Sequence, residues 1–240
     1  MLISLESVSV SFEGKTALDN VSVLLDQKRI GVIGLNGSGK STFARLLNGL
    51  VLPTAGTVRV GEVDPSKDAK AARRQTGFIF SNPDVQIVMP TVLEDVAFSL
   101  RSSGLTKDEV RTKALEVLER FGIADLADQA AHSLSSGQKQ LLAIAAIVVA
   151  EPKLVVADEP TALLDLANTR RVSRVLLEQI EQQVVLVTHD LKLANDCDIL
   201  VRFAGAKIVE IGDPSKVISS YLAENEWFCL CGRAPRPCIG

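Results

Sequence analysis

Near the amino terminus apolar residues recur at every second position: Val8, Val10 and Phe12 share one face, then Val21, Val23 and Leu25 share another. Glu13, Gly14 and Lys15 between them read as a turn, so the pattern predicts two antiparallel strands. After a second turn at residues 26–28 comes a short apolar strand over residues 29–33. It runs straight into a glycine-rich stretch, and an apolar-periodic helix follows over residues 43–50. Further on, Thr106 and Glu109 make a Thr-x-x-Glu capping box, and Val110, Ala114, Val117, Leu118 and Phe121 fall at helical spacing, which predicts a helical lobe. Residues 141–150 are apolar without interruption, but ten residues fall short of the roughly 20 that a membrane-spanning helix needs, so they read as a buried core helix. From residue 154 short apolar strands return, at 154–157 and 184–187, separated by a helix over 170–180 that carries Val172, Val175, Leu176 and Ile180. Near-continuous apolar strands alternating with helices predict a parallel sheet covered on both faces.

At 240 residues and 47% hydrophobic content the chain can bury a full core, as one large domain or one domain carrying an inserted lobe. A net charge of -3 offers no broad attraction for nucleic acid, and no nucleic-acid partner is expected. The first residues carry no basic leader before an apolar stretch, so the chain is expected to stay in the cytosol. Cys197 stands alone, while Cys229, Cys231 and Cys238 crowd into the end, which is not the spread of a disulfide framework. The Cys-x-Cys pair could bind metal, but the sharp change in composition favours a disordered or added tail over residues 223–240.

Three motifs carry chemistry. Gly34-Leu35-Asn36-Gly37-Ser38-Gly39-Lys40-Ser41-Thr42 fills every position of a phosphate loop, with a strand before it and a helix after it. Its glycines let backbone N–H groups turn toward phosphate, Lys40 reaches the β and γ phosphates, and Ser41 offers its hydroxyl to Mg²⁺. Asp158 and Glu159 end an apolar strand; the first suits a magnesium-bound water, the second the general base for the water that attacks the γ phosphate. Leu134-Ser135-Ser136-Gly137-Gln138 precedes the apolar helix and sets a second anion site at a positive helix end. One lysine loop and two phosphate-facing helix starts suggest that the second serves a nucleotide held by another subunit.

With these motifs in this order, the chain resembles an ABC-type nucleotide-binding domain over about residues 2–220. The resemblance implies an α/β fold: a P-loop (RecA-like) parallel sheet with an antiparallel β subdomain and an inserted α-helical lobe near residues 86–152, all within 1–222. It implies ATP and Mg²⁺ as cofactors. By the same resemblance Phe12 stacks on adenine, and Asn36, Gly37, Ser38, Gly39, Lys40, Ser41 and Thr42 hold the phosphates. Ser41 and Asp158 then hold the metal, and Lys40, Glu159 and His189 act in catalysis. His189 would touch the γ phosphate and hold Glu159 with its water; Ser135, Ser136, Gly137 and Gln138 would contact the partner's ATP, and Asp165 would lie at the dimer seam. His132 has no such role and reads as a surface or signature-adjacent residue.

Two positions depart from the family pattern. Ser136 stands where the first signature glycine is usual, at a cost of about 1 kcal/mol if that position needs φ > 0. Ser81 stands where a glutamine usually touches Mg²⁺ and the attacking water, and the role is not carried over to Gln86. The run Asn82-Pro83-Asp84-Val85-Gln86 resembles the ATPases of energy-coupling-factor (ECF) importers. That implies a dimer, with a homodimer sufficient and a heterodimer open, a transmembrane coupling subunit and a substrate-binding membrane subunit. It also implies a peripheral place on the cytoplasmic face of the bacterial membrane. Biotin is favoured as cargo over cobalt or nickel. The reading to be weighed against transport is a soluble ABC ATPase acting on nucleic acid or ribosomes.

Overall fold

The computed structural model describes residues 1–231, with side chains as far as Asn225. The first two strands, β1 (Ile3–Phe12) and β2 (Lys15–Leu25), pair antiparallel through a tight turn in which Glu13 and Gly14 both have positive φ. That turn twists the way a hairpin requires. The register slips three times along β1, the last slip between Val10 and Ser11. Val8 and Val10 are buried, while Phe12, two residues on at the end of β1, is 49% exposed.

The third strand, β3 (Arg29–Gly34), leads into α1 (Lys40–Leu46), which begins inside the glycine stretch rather than at residue 43 and stops at Leu46 rather than residue 50. Then β4 (Ala55–Val60) pairs with β1, giving a three-stranded sheet in the order β2-β1-β4. The helix α2 (Ala69–Gln75) leads into β5 (Thr76–Ile79). Three helices follow: α3 (Val92–Phe98), α4 (Lys107–Arg120) and α5 (Ser136–Val148). Each opens on a capping box, at Thr91/Glu94, Thr106/Glu109 and Ser135/Gln138. The chain returns through β6 (Leu154–Asp158), α6 (Leu166–Arg174), one π turn at Val175–Gln179, β7 (Gln183–Val187) and α7 (Leu191–Asn195). It closes with β8 (Ile199–Ala204), β9 (Lys207–Gly212) and α8 (Pro214–Cys231). The helix predicted from residue 170 starts four residues earlier because the Asp165 carboxylate caps it, accepting from the Asn168 N–H at 2.8 Å.

The second sheet has six strands in the order β5-β6-β7-β3-β8-β9, parallel except for β9. The strands β6 and β7 are buried and apolar on both sides, yet alternate residues go to different cores. Val155, Ala157, Val184 and Leu186 pack with α3, α4, α5 and α6, while Leu154, Val156, Val185 and Val187 pack with α1 and the antiparallel sheet. Period-two alternation thus survives in packing where it is invisible in hydropathy. Cys197 is buried beside β3, where burial pushes its thiol up to about 12 with Asp198 and Asp196 adding to the effect. Its role is packing.

At the far end Arg202, buried on β8, pairs with Glu210 of β9 and Glu224 of α8. Glu224 was expected in the tail and instead ties α8 to the sheet; the backbone helix continues to Cys231. The side chains of Cys229 and Cys231, and all of Cys238, lie outside the described residues. No helix among the described residues is long and apolar enough to cross a membrane.

Candidate active site

Because β6, β7 and β3 are adjacent and parallel, their carboxyl ends bring Asp158, Thr188 and Gly34 side by side. That edge is where open α/β sheets bind ligands. At Gly39, the N-cap of α1, φ is +109°, and a Cβ would lie 2.6 Å from the Ala17 carbonyl oxygen. Only glycine permits both that backbone conformation and that approach of β2. The loop so formed leaves the first N–H groups of α1 at its centre. Lys40 crosses it, its ammonium donating to the carbonyls of Gly34 at 2.8 Å and Leu35 at 3.0 Å. Burial holds that ammonium below the usual lysine range, with Glu159 and Asp158 opposing the effect.

Ser41 Oγ donates to Asp158 Oδ1 at 2.9 Å, and Arg45 Nη2 sits 3.8 Å from Asp158 Oδ2. Glu159 turns the other way. Its φ is +54°, unusual for a residue with a side chain and costing about 1–2 kcal/mol, and its N–H is held by the Val187 carbonyl at 2.9 Å. This break in extended geometry separates two adjacent acids: Asp158 faces Ser41, and Glu159 faces a cavity. His189 Nδ1 lies 2.7 Å from Glu159 Oε2, and the His189 N–H donates to the same oxygen at 3.3 Å. The cavity holds about 580 Å³ and is lined by Phe12, Asn36, Gly37, Lys40, Thr42 and Glu159 among others, ample for a nucleotide. Ser41 and Gly39 also line it, whereas Ser38 is buried behind the loop.

Ser135, Ser136, Gly137 and Gln138 do not line this cavity. They open α5 elsewhere, with Gln138 Oε1 accepting from the Ser135 N–H at 2.9 Å and Ser135 Oγ accepting from the Gln138 N–H at 3.4 Å. The second bond is long, so the hydroxyl is loosely committed. Ser136 enters the helix without positive φ, which removes the expected cost of a non-glycine there. His132 is exposed three residues before Ser135, in line with its reading as a surface, signature-adjacent residue.

Gln86 is bent back on its own strand: Oε1 accepts from the Phe80 N–H and Nε2 donates to the Phe78 carbonyl, both at 3.3 Å. Sequence reasoning missed three other residues. Gln140, fully buried in α5, donates to the Phe80 carbonyl at 3.3 Å; Lys139 pairs with Asp84 at 2.7 Å; and Arg45 flanks Asp158. A lone glutamine just before an uninterrupted apolar run was the one available signal, since a buried amide needs a partner.

A glycine loop closed over a lysine, with an acidic pair two strands away, defines a P-loop nucleoside-triphosphatase. Residues 18–162 match the family described as ABC transporter, and the chain belongs to that family; it binds and hydrolyses ATP. It is 40% identical over 221 residues to the biotin transport ATP-binding protein BioM of Rhizobium etli, spanning 92% of this chain and 98% of that one. It is 38% identical over 216 residues to the energy-coupling factor transporter ATP-binding protein EcfA1 of Clostridium novyi, spanning 87% and 76%. Among solved structures it is similar to cbiO1 of Clostridium perfringens, described as part of the ABC transporter complex cbiONQ. That likeness has a TM-score of 0.83 and 28% identity over 96% of each chain.

Proposed function

We propose that the chain is the ATPase subunit of an ECF-type importer, works as a homodimer on the cytoplasmic face of the membrane, and has biotin as its cargo ahead of cobalt or nickel. The observation that carries the hydrolytic part is the Glu159 carboxylate held by His189 at the wall of the cavity that Lys40 and Phe12 share. The importer part is supported by the likeness to BioM, EcfA1 and cbiO1 and by the Asn82-to-Gln86 run.

Phe12 stacks on adenine, and backbone N–H groups from Asn36 to Thr42 hold the phosphates. Lys40 exchanges the Gly34 and Leu35 carbonyls for phosphate oxygens. Ser41 and Asp158 present two hard oxygens 2.9 Å apart, a donor set that fits Mg²⁺, with phosphate and water to complete it. When bound, Mg²⁺ supplies charge neutralisation on the β and γ phosphates. Glu159 orients the attacking water and accepts its proton, while His189 keeps that carboxylate aimed. Ser135 and Gly137 of a second copy close on the γ phosphate, with Asp165 at the seam. Closure and reopening are passed to a transmembrane coupling subunit through the face around Asn82 to Gln86, and a separate membrane subunit binds the cargo.

Affinity purification from detergent-solubilised membranes tests this. The expected result is co-purification of integral membrane proteins in fixed ratio with two copies of this chain. Recovery of ribosomes with no membrane protein would overturn it.

A further inference from the structure

Gly137 is buried at the second position of α5. A methyl group there would lie 2.2 Å from both Cγ and Oδ1 of Asn168 and 2.8 Å from its Cβ. The Asn168 side chain therefore rests directly on the backbone of Gly137. The same side chain donates through Nδ2 to Asp165 Oδ2 at 3.0 Å, and the Asn168 N–H donates to Asp165 Oδ1 at 2.8 Å. One residue thus holds both carboxylate oxygens of Asp165 while packing on Gly137. Three positions along α6, Arg171 Nη2 donates to the carbonyls of Phe121 at 3.0 Å and Gly122 at 2.6 Å, just past the end of α4. Residues three apart share a helix face, so α6 is fastened to the helical lobe at two points.

We propose that Asn168 is a positioning residue of the ATPase: it fixes the start of α5 against the Asp165 turn, so that Ser135, Gly137 and Asp165 meet a second copy's nucleotide as one unit. This rests on the homodimer reading above, in which those residues serve the partner's ATP. The amide suits the task because it offers a donor to Asp165 and a flat face to Gly137. A carboxylate in its place would repel Asp165, and an alanine would leave a gap over Gly137.

The test is a double-mutant cycle on purified protein, with ATP turnover, ATP binding and Tm measured for each variant. Asn168→Ala should lower kcat about tenfold and leave KM for ATP within about twofold, because a misplaced catalytic element costs turnover while the chain's own cavity is untouched. Gly137→Ala should be more damaging still, although alanine is the better helix former by about 1 kcal/mol. Adding Asn168→Ala should win back at least about tenfold of that loss, because residues in contact do not add independently. A kcat for Asn168→Ala within twofold of wild type, or two losses that simply multiply, overturns the proposal. If Asn168→Ala does not fold, Asn168→Asp, which keeps the shape but replaces the donor with a charge that repels Asp165, is read by the same kcat criterion. Size-exclusion chromatography of Glu159→Gln with ATP separates the two levels. A dimer there with normal Asn168→Ala turnover sinks the Asn168 proposal alone, whereas no dimer sinks the homodimer reading and the proposal with it.

Discussion

Replacing His189 with alanine removes one contact whose worth can be worked from the geometry. Glu159 Oε2 has two donors, the His189 ring at 2.7 Å and the His189 backbone N–H at 3.3 Å. Alanine deletes the ring and keeps the N–H. A hydrogen bond to a charged group contributes about 1.5–3 kcal/mol, and if the whole of it serves to aim the carboxylate in the transition state, kcat falls about 10- to 150-fold. The lower part of that range is expected, because the left-handed backbone of Glu159 stays pinned by the Val187 carbonyl at 2.9 Å and the second donor survives. His189 does not line the nucleotide cavity, so KM for ATP should change less than kcat. Steady-state phosphate release over a range of ATP concentrations measures both. A kcat within twofold of wild type, or a loss carried wholly by KM, would refute the orienting role.

Two further outcomes follow from the same structure. Ser81→Gln should turn over ATP at least as fast as wild type, since Gln86 is committed to the backbone of Phe78 and Phe80 and leaves the usual glutamine position unserved; a large loss in rate would contradict this. For the clamp on α8, the hydrogen bond from Arg202 holds the Glu224 carboxyl below its ordinary value of 4.5, and burial opposes that only in part. A depressed folded-state value means the contribution is present above 4.5 and is lost as pH falls through the folded value. Glu224 is largely exposed, so wild type should exceed Glu224→Gln by no more than about 2–4 °C in Tm near pH 7. That gap should close in acid; a gap that persists unchanged well below pH 4.5 would contradict the assignment.

Short apolar strands at β3, β6 and β7 and the capping box of α4 were legible from residue type and spacing, because burial on both faces and a local side-chain cap leave direct marks in sequence. Other features had no local mark. The exposure of Phe12 follows from β4 pairing with β1 only as far as Ser9, which leaves the end of the strand uncovered on that side. The start of α1 was obscured because its cap is Gly39, a motif residue with no capping side chain. The division of the β6 and β7 side chains between two cores cannot be read when both faces are apolar. At the site, the lysine loop could be read residue by residue from its motif. The pairing of Glu159 with His189, 30 positions away, came only through resemblance. Asn168 and Gln140 went unseen because their partners, Gly137 and Phe80, are brought to them by tertiary packing alone.

Hydrolysis driven by Glu159, in a site closed by a second copy, has its sharpest test in Glu159→Gln. The amide keeps size and shape but accepts a proton poorly. With ATP and Mg²⁺ this variant should elute from size-exclusion chromatography as a dimer while turnover drops at least about 100-fold. Turnover near the wild-type rate would remove Glu159 from hydrolysis, and a monomer at saturating ATP would remove the second copy from the site.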